Sequence, residues 1–426
     1  MRTIIIVMIL AMVPLAPASA QRLDVVGVTE NVAALIEENF YDEERAAVIA
    51  EELRGTAASG EWARVQDPLR LAELLSSTIA AYDNHFRVTW SPPDDGSEPT
   101  GDTAGRQLYG FGDHLRRSGY GFREIGILPG NIGYIDMTFF AHIDFEEPTD
   151  PAWRAANAAL ALVSQADAVI IDLRENGGGS PAMVGYLTSA FTSPGARIYN
   201  IFHSRSGTES EAPGIFHPEP RLDVPLYILT SGRTASAGEA LPYTLQAANR
   251  ATVIGEASYG AANPGGAFDA GNGFSVFIAT GSPVNQVTGT NWEGDGVRPD
   301  VDSPSADALR AAQIVVLNAL LEDSEPAYRL DREWALAALR PARDIDFDSS
   351  DLVGDYGRLT VSSSDGGLHI RQGRRPIRTL VPLGADLFYR ADNPLQRYRF
   401  ARNDAGAVIA LEAMRSDGAI SRFARD

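Results

Sequence analysis

Ser236 stands in Arg233-Thr-Ala-Ser-Ala-Gly-Glu239, after the apolar run Pro225-Leu-Tyr-Ile-Leu-Thr230. Its small neighbours, Ala235, Ala237 and Gly238, leave the hydroxyl uncrowded. If Ser236 opens a helix, its own N–H and that of Ala237 lack intrahelical partners. The chemistry this permits is nucleophilic attack on a carbonyl, with backbone donors for the developing oxyanion. The same residues would also suit a plain helix cap, from Thr234 or Ser236. A second segment, Asn176-Gly-Gly-Gly179, follows the apolar strand Ala168-Val-Ile-Ile-Asp-Leu173. Its glycines allow positive φ and close approach of N–H groups to a ligand. An oxyanion hole and a simple tight turn both fit. Phosphate binding does not, because there is neither G-x-G-x-x-G spacing nor a P-loop lysine.

A nucleophilic serine needs a base and an orienting group. The chain contains no lysine, so all 36 basic side chains are arginine. The candidate bases are His85, His114, His142, His203, His217 and His369. His114 falls in a loop-rich stretch, His203 and His217 flank a polar excursion, and His369 lies near the C-terminus. His85 follows Asp83 and Asn84 at a helix-to-strand junction, the better-ordered setting. There is no HExxH and no paired Asp/His cluster, so no metal is expected, and no cofactor is implied.

The elements that must position these residues are α/β in pattern. Residues 21–90 read as a helical region. Val32, Leu35, Ile36 and Phe40 recur at helical spacing with Thr29 as a candidate cap, and Asp67-Pro68 reads as an N-cap with proline at the first helical position. Residues 91–128, rich in Pro, Gly and Asp at their start, read as a loop-rich insertion. Residues 129–325 carry the α/β core, with strands at 132–137, 168–173 and 252–254, a helix over 151–165 and a βα unit over 225–249. Ser305 is the expected cap of a helix carrying Leu309, Ala312, Val316 and Leu320. Residues 345–426 carry turn signals between short β-rich runs and read as a small antiparallel β domain.

Net charge is −20, with 22% charged and 44% apolar residues among 426. That is a globular balance, and its sign argues against nucleic acid or an anionic membrane surface as partner. Residues 1–20 read as a signal peptide: Arg2, the apolar run Ile4–Val13, and Ala18-Ser-Ala20 as the cleavage site. The run is too short to span a bilayer, and no later segment is apolar enough. The chain has no cysteine, so neither disulfides nor thiolate sites arise. The expected localisation is exported, periplasmic or extracellular, with no integral membrane segment after cleavage.

Three segments together resemble the S41 serine peptidases, which include processing peptidases, tricorn-like peptidases and a retinoid-binding-protein-like branch. They are Gly130–Ile135 leading to Asp172-Leu-Arg-Glu-Asn-Gly-Gly-Gly179, then Ser231–Glu239, then Val253-Ile-Gly-Glu256 followed by Gly294-Asp-Gly-Val-Arg-Pro-Asp300. The resemblance covers about residues 25–322 and implies a ClpP/crotonase-like core with N-terminal helices. No PDZ module is evident. It implies that Ser236 is the nucleophile, with Ala237, Gly177 and Gly178 forming the oxyanion hole. The lysine of the processing branch falls at Ala261, a complete departure from a Ser-Lys pattern. The tricorn-like branch uses Ser, His and Glu, which correspond here to Ser236, His85 and Glu293, with Asp295 a competitor for the carboxylate. Asp172, Arg174 and Glu239 match the motifs and are expected to form ion pairs that hold the two loops.

The resulting expectation is a secreted serine endopeptidase acting on a peptide or protein substrate through a Ser-His-Glu triad and an acyl-enzyme. Two alternatives remain open: a non-catalytic binder of apolar ligands on the same fold, and an esterase.

Overall fold

The computed structural model describes residues 23–83, 85–92, 111–340, 345 and 347–426. The expected signal peptide and residues 93–110 of the expected insertion lie outside the described residues. The described chain divides into two compact units.

The first unit runs to residue 98 and includes residues 265–280. Helices Val25–Asn39, Glu43–Ser59 and Pro68–Ile79 begin at Asp24, Asp42 and Asp67, whose carboxylates accept N–H groups of the first turn. Asp67 and Pro68 act as expected. Thr29 does not cap: it lies inside the first helix, and its buried hydroxyl donates to the Val25 carbonyl at 2.7 Å. The strand Arg87–Trp90 forms the edge of a three-stranded antiparallel sheet, paired with Phe274–Ala279 and then Gly265–Gly271. Val88, Phe274, Val276 and Ile278 are buried against helix residues such as Val32, Ile36, Leu53 and Leu75. Each such side chain contributes about 1.5–3 kcal/mol of burial free energy. The core expected over 129–325 is interrupted at residues 265–280, where the buried Phe274, Val276 and Ile278 complete the sheet that covers the N-terminal helices.

The core of the second unit is a six-stranded sheet. From one edge its strands are Val301–Asp302, Thr252–Gly255, Leu226–Thr230, Ala168–Asp172, Ile132–Met137 and Phe122–Leu128. All neighbours pair in parallel except the last, which is antiparallel to Ile132–Met137. The central strands are buried throughout because both faces are covered. Ile135, Val169, Ile171, Ile228 and Val253 face one hydrophobic core; Tyr134, Ile170, Leu229 and Ile254 face another, built with Ala312, Val316 and Leu317. Residues 122–128 are therefore a strand, not a loop: with one neighbour and partial exposure, they carry the mixed polarity of an edge. Ser305 does not cap the helix Ala308–Glu322, whose N-cap position is Asp307. A further helix, Pro326–Leu339, follows.

The C-terminal strands, from Gly354–Tyr356 to Ile420–Ala424, form an eight-stranded antiparallel sheet in chain order. The Asp426 N–H reaches the Asp355 carbonyl at 3.0 Å, so the sheet curls nearly into a barrel around Tyr356, Phe388 and Phe400. Among the described residues no helix is long and apolar enough to cross a membrane.

Candidate active site

The strand Leu226–Thr230 and the helix Ala237–Ala247 are joined by a turn that ends at Ser236. Ser236 has φ 56° and ψ −127°, a region that a side chain disfavours by about 1–3 kcal/mol. The turn is over-determined by its surroundings. The Ser231 hydroxyl donates to the Arg174 carbonyl at 2.6 Å, the Thr234 hydroxyl to the Leu173 carbonyl at 2.8 Å, and the Ala235 N–H to the Asn176 carbonyl at 3.0 Å. The neighbours on either side of the turn are buried, while Ser236 itself is exposed. A strained, exposed serine between buried anchors is a geometry able to present a nucleophile.

The glycine turn packs directly against it. Gly178 has φ 117°, and a β-carbon there would lie 2.9 Å from Ser236 Cβ and 3.3 Å from Oγ. Any side chain would occupy the space of the nucleophile. Asn176 is fully buried; its Nδ2 donates to the Met137 carbonyl at 3.2 Å and its Oδ1 accepts the Gly178 N–H at 2.9 Å. That corrects one expectation: the Gly178 N–H is already spent on Asn176. Ala237 and Gly177 remain as the candidate donors. Ala237 is the first residue of its helix, where N–H groups have no intrahelical acceptor and the dipole favours negative charge. Around Gly177 a β-carbon would meet open space.

Glu239 is buried and was expected in an ion pair. The structure overturns this. Its carboxylate accepts the Ser236 N–H at 2.8 Å, the Ser258 hydroxyl at 2.5 Å, the Gly260 N–H at 2.7 Å and the Ala261 N–H at 2.8 Å. Burial pushes its carboxyl up, while these four hydrogen bonds pull it down. The ion pairs that brace this end of the sheet are others. Asp172 and Arg174 pair with each other at 2.6 Å, within one loop and not between the two, Tyr134 donates to Asp172, and Arg174 also donates to the Ser305 carbonyl. Between the two loops themselves, Arg233 pairs with Glu175, an ion pair the sequence reading missed.

Residue 261, where the processing branch would carry its lysine, is a buried alanine contributing only its N–H to Glu239. The next two N–H groups, of Ala262 and Asn263, donate to Glu293 Oε2 at 2.8 and 3.2 Å. One short loop thus lies between two carboxylates, with Trp292 buried beside Glu293. Asp295, the competitor, is exposed and lies 3.7 Å from Arg298.

His85 belongs to the first unit. Its ring Nδ1 lies 3.0 Å from Asp83 Oδ1, and the same oxygen accepts the His85 backbone N–H at 2.8 Å. Asp83 is buried, and its carbonyl accepts the Phe86 N–H at 3.1 Å. The Phe277 ring stacks with the imidazole, centroids 6.2 Å apart. The Asp-x-His spacing of Asp83 and His85 is the sequence signal for their contact. In the second unit, His142 Nδ1 lies 2.9 Å from Ser180 Oγ, just after the glycine turn.

Comparison with known proteins bears on the second unit. Residues 131–303 match the profile of peptidase family S41. This segment is an S41 peptidase domain. This segment contains the Ser236 turn, the glycine turn and Glu293. A carboxyl-terminal-processing protease of Synechocystis sp. is 32% identical over 134 residues, 31% of this chain and 29% of that protein. The chain therefore matches less than a third of that relative's length. Among solved structures, a lipoprotein of Streptococcus agalactiae is similar at 16% identity, covering 71% of this chain and 97% of that one, with a TM-score of 0.43. The photosystem II D1 C-terminal processing protease is similar at 14% identity, covering 66% and 94%, with a TM-score of 0.41.

Proposed function

We propose that this protein is an exported serine peptidase that hydrolyses peptide bonds through an acyl-enzyme on Ser236. The observation that carries the reading is the exposed Ser236 at φ 56°, backed by Gly178 and followed by the helix N-terminus at Ala237. Ser236 Oγ attacks the amide carbon as its proton passes to His85. The carbonyl electron pair moves to oxygen, and the oxyanion is held by the Ala237 and Gly177 N–H groups, typically worth ~3 kcal/mol per donor. The tetrahedral intermediate collapses, the imidazolium gives its proton to the leaving amine, and water then cleaves the ester by the same steps in reverse roles. Glu293 stabilises the imidazolium; its fixed carboxylate, against the solvent-facing Asp295, supports that choice. Residues 1–20 direct export.

The test is labelling of the full chain with a fluorophosphonate probe, together with peptide hydrolysis. Labelling on Ser236 that His85→Ala abolishes, and that His142→Ala leaves intact, supports the reading. Labelling elsewhere, or undiminished hydrolysis in His85→Ala, sinks it.

A further inference from the structure

We propose that Asp83 is a positioning residue for the His85 base, holding the imidazole with its proton on Nδ1 so that proton acceptance from Ser236 falls to Nε2. The inference rests on the reading above. An imidazole can carry its single proton on either nitrogen, and only one tautomer presents a lone pair to the serine. A carboxylate beside Nδ1 selects that tautomer, because it can only accept a hydrogen bond when ionised. Asp83 Oδ1 is 3.0 Å from Nδ1 and also binds the His85 N–H, so one oxygen fixes both the ring and the backbone that carries it.

Asp83 is itself held in place. Its side chain is almost wholly buried, at 2% exposure, and its carbonyl ties to Phe86, whose ring packs with Phe40 in the core of the first unit. Phe277, paired across the sheet with Arg87, stacks with the imidazole. Backbone, carboxylate and aromatic ring all bear on the orientation of the imidazole. A carboxylate present only for helix or turn stability would need the hydrogen bond to the backbone N–H, not the one to the ring.

The experiment reads the tautomer and the rate separately. Histidine-selective ¹⁵N labelling of the full Ser236→Ala chain reports the His85 tautomer without turnover, with His85→Gln assigning the signal. The expected spectrum shows the Nδ1–H form. Asp83→Ala should lose that bias, and in the active chain it should lower kcat about 10- to 100-fold with little change in KM. Asp83→Glu should recover part of the rate. An unmoved tautomer in Asp83→Ala, alongside an inactive His85→Ala, overturns the positioning role alone. A tautomer that shifts while His85→Ala keeps full activity sinks the catalytic reading, and the positioning role with it.

Discussion

The Ser236 turn and the His85 segment hold their side chains by different means. Ser236 is held through its main chain: a strained φ, a glycine pressed against it, hydrogen bonds that anchor the turn to the neighbouring loop, and its N–H on the Glu239 carboxylate, which collects four donors. His85 is held by side chains, through one carboxylate and one aromatic face. A hydroxyl on a short stem needs its main chain placed accurately. An imidazole on a rotatable stem needs its ring plane and its proton placed. The first kind of support should fail abruptly on substitution, and the second by degrees.

The largest expected effect is Ser236→Ala, which should remove probe labelling and lower kcat by about 10⁴-fold or more while leaving the fold intact; persistent labelling would show that the turn presents nothing. Gly178→Val should follow. Its added carbons must enter the space beside Oγ, and its φ of 117° is hostile to a branched residue, so labelling should slow by about 100-fold or more. A modest loss would show that the turn yields more than the comparison allows. Glu293→Gln keeps the N–H contacts through its amide oxygen and removes a charge; steady-state kinetics should show a fall of about 10-fold, mostly in kcat. A loss as severe as that of His85→Ala would mean that the base depends on Glu293 more than on Asp83.

Glu211, outside both regions, is a second buried glutamate and lacks the donors that Glu239 has. Glu211 accepts a hydrogen bond from Asn200 at 2.7 Å, its other oxygen is unpartnered, and burial pushes its carboxyl up to about 8. It is therefore protonated in the folded chain well above the pH at which it ionises when unfolded. The folded state binds the extra proton between about pH 4.5 and 8, so stability is full below that window and falls as pH rises through it. Glu211→Gln should flatten Tm against pH there and leave kcat unchanged. An unaltered slope would show that Glu211 is ionised in the fold.

The second unit was more legible in the sequence than the first. The runs at 168–173 and 225–230 read as buried strands because both faces of the sheet are covered, and the glycine and serine motifs sit at their ends. Residues 122–128 escaped because an edge strand lacks that continuous apolar signature. The hairpin 265–280 escaped because its partner strand lies far away in the chain, and periodicity carries no information about pairing. Glu239 was misjudged for a related reason. A motif shows that a carboxylate is present, but the four donors that satisfy it come from Ser236, Ser258, Gly260 and Ala261, a set only folding brings together.

That distant pairing has a kinetic consequence. Arg87 registers with Phe277, so the sheet beside His85 closes a loop of about 190 residues, at an entropic cost on the order of 5 kcal/mol. The strands Ala168–Asp172 and Leu226–Thr230 close a much shorter one. Contacts of long separation form late. We therefore expect the serine turn to mature before the sheet that supports His85, leaving a chain that is nearly folded yet chemically silent. Pulse-labelled hydrogen exchange during refolding would show protection at Ile228 before Val88; the reverse order would end the idea. With His85 as the proposed base, activity would then switch on with the final strand pairing, so that a partly folded chain could not digest its neighbours.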